Sequence, residues 1–568
     1  MSEKKLFVRK ATGLVREIGP LTAIIIILCN VMGLGWQKRI FQYTAPAPLP
    51  ENLWIGGIPP MLMAFFLGGI IILLSVFAFS ILIAAMPRSG GGYVVISRLI
   101  SPFWAWISSW FEFLSISWSF GLIAVAVFEG IFFIFGPIVG LSAAGGTETL
   151  LFFGGLAIVV LFTVIGCLGV RMAGYMLQVM FWIPAVLTIY IIFLLASAVS
   201  NPSALQAGIT SLAASQGIQG VTASTYVQGA LAQGLDAANV GDYWFAVFTA
   251  MTGAYFAYVG YAASTFVAGE VKEANKTLPK VLLLSSVIIM VVYLIVSGLA
   301  AYSASALGRV TLPNGNVWTF FEAYAWLSYG SGDLVKAGVP AIKAWSTSLA
   351  GMTGIGLGLS SLNWLVLIFA IFWVANDIPP FILTASRILF AMAFDRVLPN
   401  SLANVNERFH SPLNATVVTG LFGVIGVFSE TLGDFGSGAI GSAFASVGGT
   451  NGFVYQFFLN GVGNTDILDA LFFTFFALSL VFLPLRKSRA KIYESSPIKY
   501  GGKAGMVTIG AVAVIANLFL DYMIIVAEGS TAWVVVFFGV IGAIVYAYYK
   551  YGKKDVDYST IFAEIPPE

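Results

Sequence analysis

Twelve stretches of this chain are apolar for long enough to cross a lipid bilayer, and no other feature of the sequence constrains the fold as strongly. They cover 20–43, 61–86, 102–136, 150–170, 174–199, 243–269, 281–307, 361–394, 413–430, 466–485, 504–527 and 532–549. About 20 apolar residues, each rising about 1.5 Å, cover about 30 Å of hydrocarbon. The runs are continuous and not short alternating segments, so they predict membrane helices and not the strands of a barrel. Only 10% of the residues are charged and 59% are hydrophobic, against about 25% charged in a soluble domain. The 102–136 run exceeds one upright helix and predicts one that tilts or projects past the membrane.

Several function classes fall away at once. Net charge is +2, which gives no strong pull toward nucleic acid, and no DNA or RNA motif is present. Cys29 and Cys167 both lie in apolar runs and form neither a disulfide framework nor a redox motif. The single histidine, His410, has no cluster of Cys or carboxylates around it in sequence, which argues against a zinc site. The basic start, MSEKKLFVRK, has no signal-peptide core, so the first apolar run is expected to be retained.

Lysine and arginine set the orientation. With the N-terminus inside, 22 of the 28 Lys and Arg fall in inner segments, and the outer loops hold only Arg309, Lys336 and Lys343. Both termini are therefore expected in the cytoplasm. The organisation read from this is a cytoplasmic tail (1–19), five spans (20–200), an outer loop (201–242), five more spans (243–485), a basic inner loop (486–503), two final spans (504–549) and an inner tail (550–568). The long outer connections, about 200–241, 308–360 and 431–463, read as variable surface loops, with a lid as the lesser reading.

Two runs are poor straight helices. The first carries Gly33-Leu34-Gly35, and the sixth carries Phe256-Ala257-Tyr258-Val259-Gly260-Tyr261. An opened backbone inside a membrane is tolerated only where it is buried in protein or lines a cavity. Each stretch therefore reads either as a half-depth solute site or as ordinary packing, a notch for a crossing helix in one case and an aromatic core stripe in the other. Five spans separate the two breaks, and an odd number of crossings would invert the second half relative to the first.

The motifs around these breaks carry a family likeness. Gly33-Leu34-Gly35 resembles the glycine-rich break of the amino acid–polyamine–organocation transporter superfamily. Pro87-Arg88-Ser89-Gly90-Gly91-Gly92-Tyr93 is similar to its P-x-S-G-G-x-Y turn, and Phe256 to Tyr261 to its F-x-F-x-G-aromatic break. Glu270-Val271-Lys272 with Thr277-Leu278-Pro279 resembles its E-x-K-x-P-x-x-T-x-P exit, although Ala274-Asn275 replaces the first proline. Ser386-Arg387-Ile388-Leu389 with Asp395 to Pro399 resembles its S-R-x-L…D-x-x-L-P segment. The resemblance implies an all-α membrane fold of the leucine-transporter type. That fold has about twelve spans in a five-plus-five inverted repeat, discontinuous spans one and six, and two added C-terminal spans. It also implies a solute that is an amino acid or related amine, with its carboxylate toward Gly33–Gly35 and its ammonium toward Ala257–Gly260. Phe256 is the ring expected to gate.

The remaining candidates concern coupling and gating. Lys38 and Arg39 depart from the family pattern; they either face the outer vestibule and favour acidic solutes, or snorkel or pair with Asp377 or Glu129. Glu112, Glu129 and Asp377 are intramembrane carboxylates and so candidates by default, with structural hydrogen bonds or ion pairs as the alternative. Glu112 and Glu129 stand about 25 Å apart on one helix, too far for a catalytic dyad. Glu270 reads as an inner gate or as an interface charge. Some family members carry a coupling lysine in span five; here that span has none, and Ile183 and Pro184 stand near the position. No cofactor is expected. Sodium held by span one and by Thr384 or Ser386, a proton on Glu112, and plain exchange all remain open. The expected function is a secondary transporter that works by alternating access, with a channel or a solute sensor as alternatives. A membrane enzyme would need clustered His, Cys or carboxylates, which the sequence does not offer.

Overall fold

The computed structural model describes residues 14, 16–33, 40–135, 147–215, 217–339, 363–435, 457–458, 460–487, 490–552 and 561–562. The chain is almost entirely helical; one two-residue hairpin, Val310–Thr311 with Val317–Trp318, is the sole sheet among the described residues. Ten helices are long and apolar enough to cross a membrane. The two expected spans missing from that set are the first and the sixth, and each stops short at its glycine. Helix α1 (Pro20–Val31) has 12 residues, about 18 Å.

The second span is α2 (Pro60–Ala85), followed by a short α3 (Gly92–Leu99). The third, α4 (Pro102–Phe135), is one continuous helix of 34 residues, as its length in sequence predicts. Next come α5 (Thr147–Cys167) and α6 (Val170–Ser200). The sixth span begins as α7 (Tyr243–Tyr258), opens over 259–262, and resumes as the single turn α8 (Ala263–Phe266). After it come α9 (Ala274–Ser305) and, in the second of the three long connections, α10 (Phe320–Tyr329). Helices α11 (Asn363–Asn376) and α12 (Ile378–Phe394) run on across Asp377 as one crossing. The remainder are α13 (Leu413–Phe435), α14 (Gly461–Leu485), α15 (Gly502–Ala527) and α16 (Thr531–Gly552).

Helices α4 and α14 form the centre, and α2 packs against α7, α9 and α15. The outward faces are apolar: Ile189 and Phe193 of α6 are 72% and 68% exposed, which suits hydrocarbon and not water. Helices α4 and α13 touch backbone to backbone. A Cβ on Gly121 would stand 1.9 Å from the Gly423 carbonyl oxygen, and one on Gly426 would stand 1.9 Å from that of Trp118. Small residues permit this approach, and without a hydrophobic drive between membrane helices close packing is what holds them.

The connection around α10 corrects the reading of 308–360 as variable surface. Thr319 and Glu322 form a reciprocal capping box, and every residue from Phe320 to Ser328 is buried. Phe321 and Tyr324 pack on Phe41, at 5.7 and 5.6 Å between ring centroids, so α10 lies as a lid over the segment that follows the first break.

Candidate functional site

The first break ends α1 by a local turn. Met32 N–H donates to the Leu28 carbonyl and Gly33 N–H to the Val31 carbonyl, both at 2.9 Å. Gly33 is required there because a Cβ would stand 1.7 Å from Asp377 Oδ2. The expectation that a solute carboxylate docks on Gly33 is revised on both counts: its N–H is already committed to Val31, and the group packed against it is a carboxylate from α12. Leu34, Gly35, Lys38 and Arg39 lie outside the described residues.

The second break turns on Gly260, whose φ is +93°. Side chains rarely adopt that conformation. Asn30 in the last turn of α1 fills the space: a Cβ on Gly260 would stand 1.7 Å from Asn30 Nδ2 and 2.7 Å from the Asn30 carbonyl oxygen. The two breaks therefore meet.

One hydroxyl joins them. Tyr293 of α9 lies 2.6 Å from the Val31 carbonyl oxygen and 2.7 Å from that of Ala257. Both carbonyls belong to helix C-termini, where the unpaired acceptors and the helix dipole favour positive charge. The aromatic residues of the break divide in role. Tyr258 donates to the Phe65 carbonyl at 3.0 Å and packs on Phe65 and Tyr293, so its ring is part of the wall between α2 and α9. Phe256 and Val259 are buried, at 7% and 4% exposure.

The ends of the spans beside Glu270 gather three of the motifs. Glu270 is wholly buried and accepts two bonds from Arg387, at 2.9 and 3.0 Å. Gly90 N–H donates to the Phe266 carbonyl at 2.8 Å, which lays the Pro87–Tyr93 turn directly on α8. Arg98 of α3 pairs with both carboxylate oxygens of Asp395, and Phe562 from the tail lies on its guanidinium at 5.3 Å. The chain before α1 straps across: Ile18 N–H donates to the Glu270 carbonyl, and Lys272 N–H to that of Ile18. Glu270 is thus a buried ion-pair partner of Arg387 and not an interface charge. Ser386 accepts from Arg387 at 3.1 Å and donates to the Leu383 carbonyl. A sodium ion there would sit beside a guanidinium, which disfavours it. Thr384 is buried, and no group of His, Cys, Asp and Glu among the described residues forms a metal site.

Among the described residues Glu112 pairs with no cation. Its carboxyl lies against Asp469 of α14, which in turn accepts from Tyr255 at 2.5 Å. Sequence reading missed Asn30, Tyr255, Tyr293 and Asp469. The signal for two of them was available, since Tyr293 stands alone in an aliphatic run and Asp469 is an in-span carboxylate.

Glu322 governs the lid. Burial pushes its carboxyl up to about 8, against the opposing pull of the Thr319 hydroxyl and of backbone N–H groups, with Glu51 adding to the rise. A raised carboxyl binds a proton in the docked lid that it releases in water. Docking is therefore strongest below the ordinary Glu value of about 4.3 and is lost as pH rises through about 8. A spin label on α10 is expected to gain mobility as pH rises from about 4 to about 8, and Glu322→Gln to flatten that change.

A family model described as amino acid permease matches residues 18–546. The chain belongs to the amino acid permease family. The permease is 24% identical over 410 residues to an uncharacterized transporter of Mycobacterium tuberculosis, covering 71% of this chain and 72% of that one. It is 28% identical over 180 residues to the mitochondrial cationic amino acid transporter 3 of Arabidopsis thaliana, covering 31% of this chain and 23% of that one. The structure of MhsT in complex with L-phenylalanine has the same fold, with a TM-score of 0.54 at 15% identity over 89% of this chain and 99% of that one. The permease is accordingly a multi-pass membrane transporter of amino acids and not an enzyme, and neither a channel nor a sensor reading is favoured.

Proposed function

We infer that the permease holds its solute where the two broken helices meet, with the α-ammonium group on the carbonyl ends of α1 and α7. The observation that carries this is Tyr293, whose single hydroxyl spans the Val31 and Ala257 carbonyls. Ala257 keeps a second lone pair for an incoming ammonium. The carboxylate end is assigned to the Leu34–Gly35 side of the first break, since Asp377 packs on Gly33. Access alternates between the lid at α10 and the inner closure at Glu270 and Arg387. The uneven distribution of Lys and Arg between alternate connections supports a reading with both termini in the cytoplasm and the lid outside.

Counterflow in proteoliposomes tests the site: vesicles loaded with one unlabelled L-amino acid should take up the same tritiated amino acid, tested singly across the common set. Tyr293→Phe removes the one O–H that the two buried carbonyls share. Its expected cost is about 1–3 kcal/mol, read as a loss of solute affinity of about tenfold. Unchanged affinity in a folded Tyr293→Phe protein would remove the ammonium assignment.

A further inference from the structure

A buried acid site lies one turn above the second break, apart from the carbonyls assigned to the solute. Glu112 and Asp469 are each 1% exposed. No hydroxyl, amide or cation reaches Glu112 Oε2 or Asp469 Oδ1, and the two carboxyl groups lie within hydrogen-bonding reach of each other. Two carboxyls bond only through a proton held between them. Among the described residues no Lys, Arg or His pairs with either, and an unpaired buried carboxylate is too costly to persist charged.

Tyr261, from the opened segment of the sixth span, is wholly buried beside the pair. The charged groups it faces are Asp469, Glu112 and, farther off, Asp521. Ser75 donates to the Ile71 carbonyl and accepts from Asn517, which leaves its second lone pair for the Tyr261 hydroxyl. The titratable groups that surround the pair are Tyr255 and Tyr261 of the sixth span, Asp466 on α14 itself, and Asp521 of α15, which accepts from Thr474. None of these supplies a positive charge.

We propose that Glu112 and Asp469 carry the proton that couples transport, and that Tyr255 links its occupancy to the second break. Tyr255 lies three residues before the end of α7, so any tilt of α7 that opens the solute site draws the phenol away from Asp469. When α7 tilts and the phenol leaves, Asp469 loses the donor that favours its charged form, so the pair takes up a proton from water on the outer side. When α7 returns, the restored bond favours the carboxylate, an O–H bond breaks and the proton passes to water on the inner side. This rests on the solute reading above, because the same helix end is assigned to both.

The test uses the full-length protein in proteoliposomes with a trapped pH dye, and the tritiated L-amino acid that exchanges in counterflow. An inward proton gradient should drive accumulation, the interior should acidify as solute enters, and exchanging sodium for potassium should change nothing. Glu112→Gln and Asp469→Asn should each lower the ratio of gradient-driven accumulation to counterflow by about tenfold or more. A merely structural role would lower both together. Tyr255→Phe, which keeps both carboxyls, should lower the same ratio less. Accumulation that follows sodium without acidification would overturn the proposal, as would either carboxyl variant with wild-type proton entry per solute. Absence of counterflow in the wild type would instead overturn the solute reading.

Discussion

Gly260→Ala is expected to abolish transport and to lower the melting temperature of the purified permease. Two costs add. The backbone at φ +93° strains any side chain, and the new methyl group would meet Asn30 Nδ2 at 1.7 Å. Strain and overpacking together amount to about 2–6 kcal/mol. Gly220→Ala separates them, because Gly220 has a φ of +75° with nothing within 4 Å; it should show the strain alone and keep transport. The checks are fluorescence-detected melting and counterflow. A Gly260→Ala protein that exchanges solute at the wild-type rate would show that the meeting of α1 with the second break is dispensable.

The second large effect is expected at the inner closure. Arg387→Ala leaves Glu270 charged, wholly buried and without its two bonds. Removal of one partner from such a pair costs about 3–5 kcal/mol, whereas replacing both by apolar groups of similar size is often neutral. Glu270→Leu combined with Arg387→Met should therefore recover most of the stability lost in Arg387→Ala. It should not recover concentrative uptake, since a closure without charge loses its specificity for one register. Equal melting temperatures for single and double variants would contradict this account.

The parts of this arrangement that sequence made legible are local ones. The breaks could be found because a glycine among bulky residues marks a place where a helix cannot continue, and the structure ends α1 at Val31 and α7 at Tyr258 accordingly. Span lengths were equally legible, down to the single long α4. The lateral partners were not. Tyr293 is 262 residues from Val31, and Tyr255 is 214 from Asp469; neither pairing leaves a periodic trace. The charge on Gly33 came from α12, which turned the expected polarity of that position around. The lid was hidden for a different reason. Its composition resembles a loop, and only the spacing of Thr319 and Glu322, a capping box, marks a helix start there.

The contact between α4 and α13 limits how the molecule can work. Two rods that meet with no side chain between them, at Gly121 on one and at Gly423 and Gly426 on the other, have no soft layer in which to slip or roll. They form a fixed strut. Whatever exposes the solute first to one face and then to the other must be done by the pieces that lean on that strut, chiefly the two half-length rods, pivoting where their own glycines let them bend.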